Sequence, residues 1–277
     1  MARKLFCEIS PLTYRISVRK NILQRTVADA YRQARGRVTF ARERSQEPLP
    51  VCAYAHRSLI RRRLGNVDME LQENKAVNLA LAAPKVNGIL IRPGETFSFW
   101  HLVGSTAPKY GYKTGLVIKS GRTDRDTGGG MCQFTNLIHW LILHSPLTIT
   151  EHHHHDGYDL FPDFGRAVPF GTGTSIMYNY LDYRFRNDTE QDYQLLVWTD
   201  EQYLNGELRS SGEQPCRYHI AAEDERFIRD GETVFRENTI WRSTVDPQTG
   251  NIVKKELLKK NHARVMYDTS GLEITEP

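Results

Sequence analysis

The chain has 277 residues, of which 39% are hydrophobic and 25% charged, and this ordinary balance excludes wholesale disorder. It contains no run of roughly 18 consecutive apolar residues, so no membrane-spanning helix is predicted, and the N-terminus lacks the apolar segment of a secretory signal. Four scattered cysteines without a Cys-x-x-Cys pair suit a reducing compartment, so we expect a cytoplasmic protein, either free or peripheral to the membrane.

The positive charge is concentrated at the N-terminal end. Residues 1–63 contain 15 lysines and arginines but only 4 acidic residues, a net charge of +11, whereas the whole chain carries +4 and the remainder therefore −7. Such a basic section favours contact with an anionic membrane surface, and a nucleic acid is the less favoured partner. Because the cations are interspersed with apolar residues, a solvated basic face that contacts nothing is the alternative.

Hydrophobic periodicity predicts helices in the first third of the chain. Apolar residues recur at helical spacing over residues 21–35, and Gly36 is a typical helix stop. The apolar run over residues 49–64 ends in three arginines, which we interpret either as a phosphate-binding patch or as cations at the C-terminal end of a helix. A further helix is predicted to begin at Glu70 and to end at Pro84, because proline interrupts a helix.

β-type runs and turns dominate the rest of the chain. Strands are predicted at residues 86–91, 96–100, 115–119, 175–177, 180–186, 193–198 and 203–208. Residues 121–130 are predicted to form a loop, because they are rich in glycine and polar residues. Two longer runs, residues 232–245 and 252–267, flank a turn and indicate a long hairpin.

These patterns predict an α+β fold with N-terminal helices, a central cysteine-bearing helix packed on an antiparallel sheet, and C-terminal β-hairpins. We expect two parts: a basic helical N-terminal region, residues 1–66, and an α+β domain, residues 67–277. The last hundred residues are the most uniformly β-type, so the helices come first and the antiparallel strands follow.

The strongest chemical signal is a run of three glycines directly before a cysteine. Gly128, Gly129 and Gly130 lead through Met131 to Cys132, and apolar residues at helical spacing follow as far as a Ser-Pro pair. Cys132 therefore falls in the first turn of a buried helix, where the helix dipole and unpaired backbone N–H groups favour a thiolate. This arrangement is typical of a cysteine nucleophile.

The same stretch offers donors for an oxyanion. The glycines allow a substrate carbonyl to approach the backbone closely, and the N–H groups of Met131 and Cys132 are candidate donors. The side chain of Gln133 is a further candidate. We therefore expect the backbone from Gly128 to Cys132 to form the substrate-binding part of the site.

Four consecutive histidines, residues 152–155, supply candidate bases after a β-type run that ends at Glu151. Alternate side chains on an extended segment share one face, so His153 and His155 are expected to point the same way. Either could act as the general base for Cys132, with a carboxylate such as Asp156 or Asp182 as its orienter.

Two other interpretations of these residues stay open. Cys132 can be a buried, inert cysteine, which is the commoner role of a lone thiol. A His-x-His pair together with Cys132 and a water molecule can instead form an open zinc site. We expect no cofactor, with zinc as the alternative.

Several strings along the chain resemble the VanW family, which is associated with B-type vancomycin resistance clusters. The similarity runs from about residue 70 to the end and rests on these strings: Gln72-Glu73-Asn74-Lys75, Pro93-Gly94-Glu95-Thr96-Phe97-Ser98-Phe99-Trp100, Gly128-Gly129-Gly130-Met131-Cys132-Gln133, Leu181-Asp182, Phe185-Arg186-Asn187-Asp188-Thr189 and Asn261-His262-Ala263. The resemblance implies a link to the bacterial cell envelope or to glycopeptide resistance.

The resemblance also bears on the candidate base. The family pattern after the helix is Glu-Arg-His-x-His, which Glu151, His153 and His155 match, while His152 replaces the arginine. A family Asp-Ala-Thr string is Gly-Thr-Ser here, so Gly173 stands where the family has an aspartate. The match favours His153 and His155 over the neighbouring histidines as the base. Because the family aspartate is missing, Asp182 is the candidate carboxylate that orients this base.

Together these observations predict a VanW-like protein with a site formed by Cys132, His153 or His155, and Asp182. The expected activity is that of a hydrolase or acyltransferase on an amide of a peptidoglycan-type peptide or precursor. The alternative is a non-catalytic protein that binds a cell-wall ligand or a metal, which the replacement of the family aspartate by Gly173 favours.

Overall fold

The computed structural model describes residues 5–62, 68–119, 122–154, 156–163 and 166–276, and the statements below concern these residues. The described chain contains the α-helices Pro11–Ala34 (α1), Met69–Val86 (α2), Phe99–Val103 (α3) and Met131–Leu143 (α4). None of these helices is long and apolar enough to cross a membrane. The remaining regular structure is β-sheet, so the predicted α+β class is confirmed.

Helix α1 extends further towards the N-terminus than the predicted residues 21–35. The hydroxyl of Ser10 accepts a hydrogen bond from the backbone N–H of Thr13 at 3.2 Å, and Pro11 occupies the first helical position. Both features start helices, because they satisfy or remove N–H groups that have no partner within the helix. The predicted end is confirmed, since Gly36 follows with a positive φ of 64°.

A four-stranded antiparallel sheet, the main sheet, has the strand order β2–β11–β10–β3. Its strands are Val51–Leu59 (β2), Ile89–Ile91 (β3), Tyr193–Thr199 (β10) and Tyr203–Ser210 (β11). Of the two interpretations of the three arginines, the end of a helix is wrong, because the run before them is strand β2, which pairs with β11 along its length; Arg63 itself lies outside the described residues. A short apolar run is compatible with a helix or with a strand. Here pairing with β11, which is distant in the sequence, makes it a strand.

Two further sheets complete the β-structure. The small sheet has the order β1–β4–β9–β7 and consists of Thr39–Phe40 (β1), Glu95–Ser98 (β4), Thr148–Glu151 (β7) and Arg184–Arg186 (β9). The hairpin sheet has the order β15–β12–β13–β14–β8 and consists of Tyr158–Asp159 (β8), Arg217–Asp230 (β12), Thr233–Val245 (β13), Ile252–Val265 (β14) and Ile274–Thr275 (β15). The predicted long hairpin is confirmed by β13 and β14, which pair around the turn at residues 246–251.

The segment before the glycine run is a strand rather than the predicted loop. Thr114–Lys119 (β5) and Arg122–Thr127 (β6) form an antiparallel pair that no other sheet extends in the described chain. The sequence hides β6, because the strand reads Arg-Thr-Asp-Arg-Asp-Thr without an apolar residue, and residues 123–126 are exposed. The predicted strand at residues 180–186 is shortened to Arg184–Arg186 (β9), and Leu181 before it forms only an isolated bridge with Met177.

Helix α4 lies in the centre of the hydrophobic core, and most of its side chains are buried. It packs on β2 and β11 of the main sheet. Gly206 of β11 faces it so closely that an added Cβ would lie 3.0 Å from the side chains of both Leu137 and Leu141. The prediction of a central cysteine-bearing helix on an antiparallel sheet is therefore confirmed.

The N-terminal part of the chain contributes strands to the same sheets as the rest. β1 pairs in parallel with β4, and β2 pairs with β11. Helix α1 is joined to the body by ion pairs from Arg25 to Glu151 and from Asp29 to Arg184. The division of the chain at residue 66 stays a prediction.

Candidate active-site cleft

A cleft of about 1420 Å³ lies beside the N-terminal end of α4. Part of its wall consists of the predicted site residues Gly128, Gly130, Met131, Cys132 and Gln133. Other walls come from α2, from residues 156–163 and 166–174, and from the middle of β14. The glycine run and the thiol therefore face a space large enough for a peptide-sized ligand.

The backbone of the glycine run is held by Asn78 of α2. The Asn78 amide donates hydrogen bonds of 2.9 Å to the carbonyl oxygens of Lys113 and Gly129, and its own carbonyl accepts one of 2.7 Å from the Lys113 N–H. Gly130 has a φ of 107°, a conformation that side chains disfavour, and directly precedes α4. The run is thus a fixed, side-chain-free edge of the cleft.

Cys132 lies in the first turn of α4 and is partly buried against the core. Burial raises the pKa of its thiol, and hydrogen bonds from the backbone at Ile176 and Cys132 oppose that effect without cancelling it. The helix dipole therefore does not produce a thiolate in the free protein, since desolvation is the larger effect. Chemistry at Cys132 requires a base that removes the proton.

His152 and His154 lie on the side of the chain that faces α4. The centroids of their rings are 3.9 Å apart, and the centroid of the His152 ring is 4.1 Å from that of His139 on α4. The Nε2 of His152 donates to the carbonyl of Gly173 at 3.2 Å. Burial, reinforced by neighbouring cations, lowers the pKa of His152 to about 3 and that of His154 to about 4, so both are neutral at pH 7. His154 lines the cleft that contains Cys132.

His153 lies on the opposite side of the segment. Its Nε2 is 3.0 Å from Oε1 of Glu151, and the same oxygen accepts a hydrogen bond from the backbone N–H of Asp182. Glu151 also forms an ion pair with Arg25 of α1. His153 therefore does not line the cleft, because consecutive side chains of an extended segment alternate. The other predicted base, His155, lies outside the described residues.

Asp182 is 1% exposed and is surrounded by donors. It accepts hydrogen bonds from the hydroxyl of Ser98 at 2.5 Å, from the backbone N–H of Trp100 at 3.0 Å and from Nε of Arg184 at 2.7 Å. These bonds fix the start of α3 against the small sheet. Asp156, the other predicted orienter, lines the cleft and pairs with Lys259 at 2.6 Å.

The sequence prediction missed two buried polar residues on α2. Lys75 is 6% exposed and Gln72 is fully buried, and both line the cleft one helical turn apart. Among the described residues, neither the Lys75 ammonium nor Nε2 of Gln72 has a hydrogen-bond partner. Burial and the like charges of Arg61 and Arg62 lower the pKa of Lys75 to about 7. The available signal was positional: these residues continue the buried stripe of Leu79, Ala82 and Val86.

Comparison with known proteins places this geometry in a family. The family model described as "VanW like protein" matches residues 74–209. The chain is 36% identical over 200 residues, 72% of its length and 72% of the relative's, to the vancomycin B-type resistance protein VanW of Enterococcus faecalis (strain ATCC 700802 / V583). The chain belongs to the VanW family. The resemblance noted in the sequence is thereby confirmed.

A second relative is more distant. This VanW-family chain is 27% identical over 122 residues to the uncharacterized protein YoaR of Bacillus subtilis (strain 168), which covers 43% of the chain and 37% of YoaR. No solved structure matches the chain. The matched family region contains Lys75, Cys132, His153 and Asp182, whereas Gln72 lies just before it.

The zinc alternative remains a prediction for this VanW-family protein. Among the residues that the structure describes, no three His, Cys, Asp or Glu side chains are grouped as metal ligands. His153, a member of the predicted His-x-His pair, is directed to Glu151, and its partner His155 lies outside the described residues. What the described cleft does present is a thiol, neutral imidazole groups, a glycine backbone and buried cationic side chains.

Proposed function

We propose that this VanW-family protein is a thiol-dependent acyltransferase or hydrolase of the bacterial cell envelope, acting on an amide of a peptidoglycan-type peptide or precursor. The observation that carries the proposal is that Cys132 and the glycine run line one cleft. The printed name of the relative in Enterococcus faecalis supports a link to vancomycin resistance. We propose that the protein acts at the cytoplasmic side of the membrane.

The chemistry begins with transfer of the Cys132 proton to an imidazole. The thiolate attacks the amide carbonyl, the C–N bond breaks, and the amine leaves with the proton returned by the imidazolium. Water or an acceptor amine then attacks the thioester and restores the thiol. Backbone N–H groups at Gly130 to Cys132 are the proposed donors to the developing oxyanion.

His154 is our first candidate for the base, because it lines the cleft and is neutral at pH 7. His155, one of the two bases inferred from the sequence together with His153, is the second candidate. In this arrangement His153 and Asp182 do not contact the thiol. Both bind Glu151, which begins the segment that leads into His154, and so they hold that segment in place. They are positioning residues in the proposal.

Binding without turnover is the second candidate function. It is favoured by the raised pKa of the Cys132 thiol and by the hydrogen bonds that hold Asp182 away from the cleft. In that case the cleft holds a cell-wall peptide, and Cys132 is a packing residue of the α4 N-terminus.

One experiment separates the two candidates. The protein is incubated with peptidoglycan fragments, and products and a Cys132 thioester are sought by mass spectrometry, with Cys132→Ser, Cys132→Ala and His154→Gln as variants. Acyl transfer predicts loss of product and of the adduct in all three variants, with folding unchanged by circular dichroism. Cys216→Ser, which removes a cysteine outside the cleft, should behave as wild type.

The opposite result is equally informative. Equal fragment binding by wild type and Cys132→Ser, with no product from either, supports the binding protein and contradicts the enzyme. The rate of Cys132 alkylation against pH adds a check: a midpoint above the free-cysteine value of about 8.5 is expected without ligand, because the thiol is buried. A midpoint well below that value would contradict a buried thiol with a raised pKa.

A further inference from the structure

We propose that Gln72, Lys75 and Arg62 form a subsite in the cleft that binds an oxyanion, a carboxylate or phosphate group of the ligand. The proposal rests on the proposed function only in that the ligand enters the same cleft; it holds whether or not Cys132 is a nucleophile.

The first support is that donors in this part of the cleft are buried without partners. Nε2 of Gln72 is inaccessible and makes no hydrogen bond, and the Lys75 ammonium has no acceptor among the described residues. A buried donor without an acceptor costs roughly 1–3 kcal/mol, more when it is charged. Folded proteins rarely keep such groups together unless an acceptor fills the space during function.

The second support is the arrangement of the groups. Gln72 and Lys75 are one turn apart on α2, so their side chains leave the same face of the helix. Oε1 of Gln72 lies 3.4 Å from the backbone nitrogen of Arg62, its donor, so Nε2 is the end of the amide left without a partner. Arg62 also lines the cleft, and its guanidinium makes no hydrogen bond within the described chain. Three donors therefore converge on one region.

The third support is electrostatic. The charged groups that act on Lys75 are Arg61 and Arg62, which are both positive, and no carboxylate among the described residues offsets them. Arg61 is neutralised by Glu73 in a two-bond ion pair, whereas Arg62 feels only the more distant Asp163. A concentration of unpaired positive charge in a partly buried cleft is complementary to an anion.

The subsite lies next to the proposed reaction centre. An added Cβ at Gly130 would overlap Cγ of Lys75, so the lysine stem packs directly against the residue that precedes α4. Cys132 follows two residues later and lines the same cleft. A ligand whose anionic group is held by Lys75 is thus positioned close to the thiol.

Two sources can supply this anion. One is the free carboxylate of a short cell-wall peptide, and the other is the phosphate of a precursor that carries a nucleotide or lipid. Both are accepted by a lysine, an arginine and an amide donor, so the structure assigns the shared oxyanion chemistry.

Calorimetric titration tests the subsite with N-acetyl-D-alanyl-D-alanine, the same peptide amidated at its C-terminus, and inorganic phosphate. We expect wild type to bind the free acid or phosphate, and Lys75→Met to weaken that binding at least tenfold. Lys75→Arg should retain most of it. Preference for the acid over its amide identifies a carboxylate source, whereas binding of phosphate alone identifies a phosphate source.

Controls keep this test separate from that of the proposed function. Lys109→Met removes an exposed lysine outside the cleft and should bind as wild type does. Cys132→Ser should also bind normally, so loss of turnover in that variant leaves the subsite intact. Binding of neither anion by wild type, or equal binding by Lys75→Met, would overturn the subsite.

A second observation, independent of the cleft, concerns the outer face of α1. Leu12, Ile16, Leu23 and Val27 are between 47% and 66% exposed, and their spacing puts them on one stripe of the helix. The opposite face is docked, because Arg25 pairs with Glu151. An exposed apolar stripe of this length needs a partner.

The charges beside the stripe indicate which partner it is. Arg15, Arg19 and Lys20 are exposed cations of α1, and its one acidic residue, Asp29, lies on the docked side in ion pairs with Arg184 and Arg32. We infer that α1 lies on an anionic lipid surface, with its apolar stripe among the acyl chains and its cations at the headgroups. Tyr14 and Val18 of the same helix line the cleft, so the cleft would open close to the membrane.

Sedimentation with liposomes tests this surface on the full chain. We expect binding to vesicles of phosphatidylglycerol, weak binding to phosphatidylcholine, and a decrease at high salt because the cations are screened. Leu23→Glu/Val27→Glu should abolish binding, whereas Ile252→Glu/Val253→Glu, which alters equally exposed apolar residues on β14, should not. Salt-independent binding, or binding retained by the α1 variant, would refute the membrane assignment.

Discussion

At the scale of single residues, the buried lysine of α2 is the clearest case in which function and stability oppose each other. Lys75 places an amine, whose pKa burial and neighbouring arginines lower to about 7, in a site that is almost closed to water and has no acidic partner for it among the described residues. A hydrophobic residue of the same length would pack there without the desolvation cost. We expect selection for a ligand, rather than for stability, to retain it.

Lys75→Met should therefore stabilise the folded protein by about 1–3 kcal/mol at neutral pH. The folded-state pKa of about 7 lies below the ordinary 10.5, so protonation favours the unfolded chain, and wild-type stability should rise as pH increases from 7 to 10. Urea unfolding at several pH values measures this. The gap between variant and wild type should be widest below pH 7; a gap independent of pH would show that Lys75 is not desolvated.

The residues of the candidate site were predictable to different degrees. Cys132 and the glycine run were recognised because the signal is local: a flexible backbone, a thiol and an apolar helix follow one another. Whether His153 or His154 lines the cleft could not be predicted from neighbouring residues, because it depends on which side of the segment faces α4. Lys75 was overlooked, since its importance comes from being buried and without a partner.

At the scale of elements, the glycine run and the β5–β6 hairpin are packed backbone against backbone. A Cβ added to Gly129 would lie 2.7 Å from both the Cα of Gly115 and the carbonyl oxygen of Leu116. Backbone atoms in a paired strand cannot move aside as a flexible side chain can. The absence of a side chain at Gly129 is therefore a packing requirement.

Gly129→Ala should destabilise the protein by about 1–3 kcal/mol, because the hairpin and the glycine run must separate. It should also slow any reaction at Cys132, since the proposed oxyanion donors would shift. Thermal unfolding and the fragment assay together measure both effects. Gly173→Ala is the matched control, because the nearest atom to its Cβ would be 3.8 Å away; similar losses in both variants would contradict the packing argument.

Elements with strong local signals were predicted, and those that depend on partners were not. Helix α4 and the β13–β14 hairpin follow from apolar period and turn residues. β2 was interpreted as a helix end, because its partner β11 is distant in sequence. β6 was interpreted as a loop, because residues 123–126 of the strand are exposed and no apolar alternation marks it.

At the scale of the whole molecule, a charged network joins the N-terminal helix to the small sheet. Arg184 of β9 is buried and donates to Asp29 of α1 and to Asp182, while Glu151 of β7 pairs with Arg25 of α1. Burial raises the pKa of Asp29, but hydrogen bonding to Arg184 and Arg25 and the positive charges of both outweigh it, so the pKa lies below its ordinary value. The network fixes α1, and with it the cleft wall to which α1 contributes.

Asp29→Asn should destabilise the protein by about 1–3 kcal/mol, because the buried Arg184 loses the charge of one partner but keeps its bond to Asp182. Since the folded-state pKa of Asp29 is lowered, its contribution is present above the ordinary carboxyl pKa and should disappear as the pH falls through the folded value. Denaturant unfolding at pH 7 and at low pH measures this. Asp188→Asn, which breaks the exposed pair with Arg186, should cost less than about 1 kcal/mol; equal costs would show that α1 is not anchored by the network.

By itself, the sequence determined the α+β class, the cysteine-bearing helix behind its glycine run, the long hairpin and membership of the VanW family. These depend on local period, turn chemistry and strings of residues, which need no knowledge of distant contacts. Only the tertiary structure decided that His154 lines the cleft of the thiol while His153 pairs with Glu151, that burial raises the pKa of the Cys132 thiol, and that Lys75 lies in the cleft without a partner among the described residues. Burial and electrostatics depend on what surrounds a side chain in space, and segments far apart in the chain supply those surroundings.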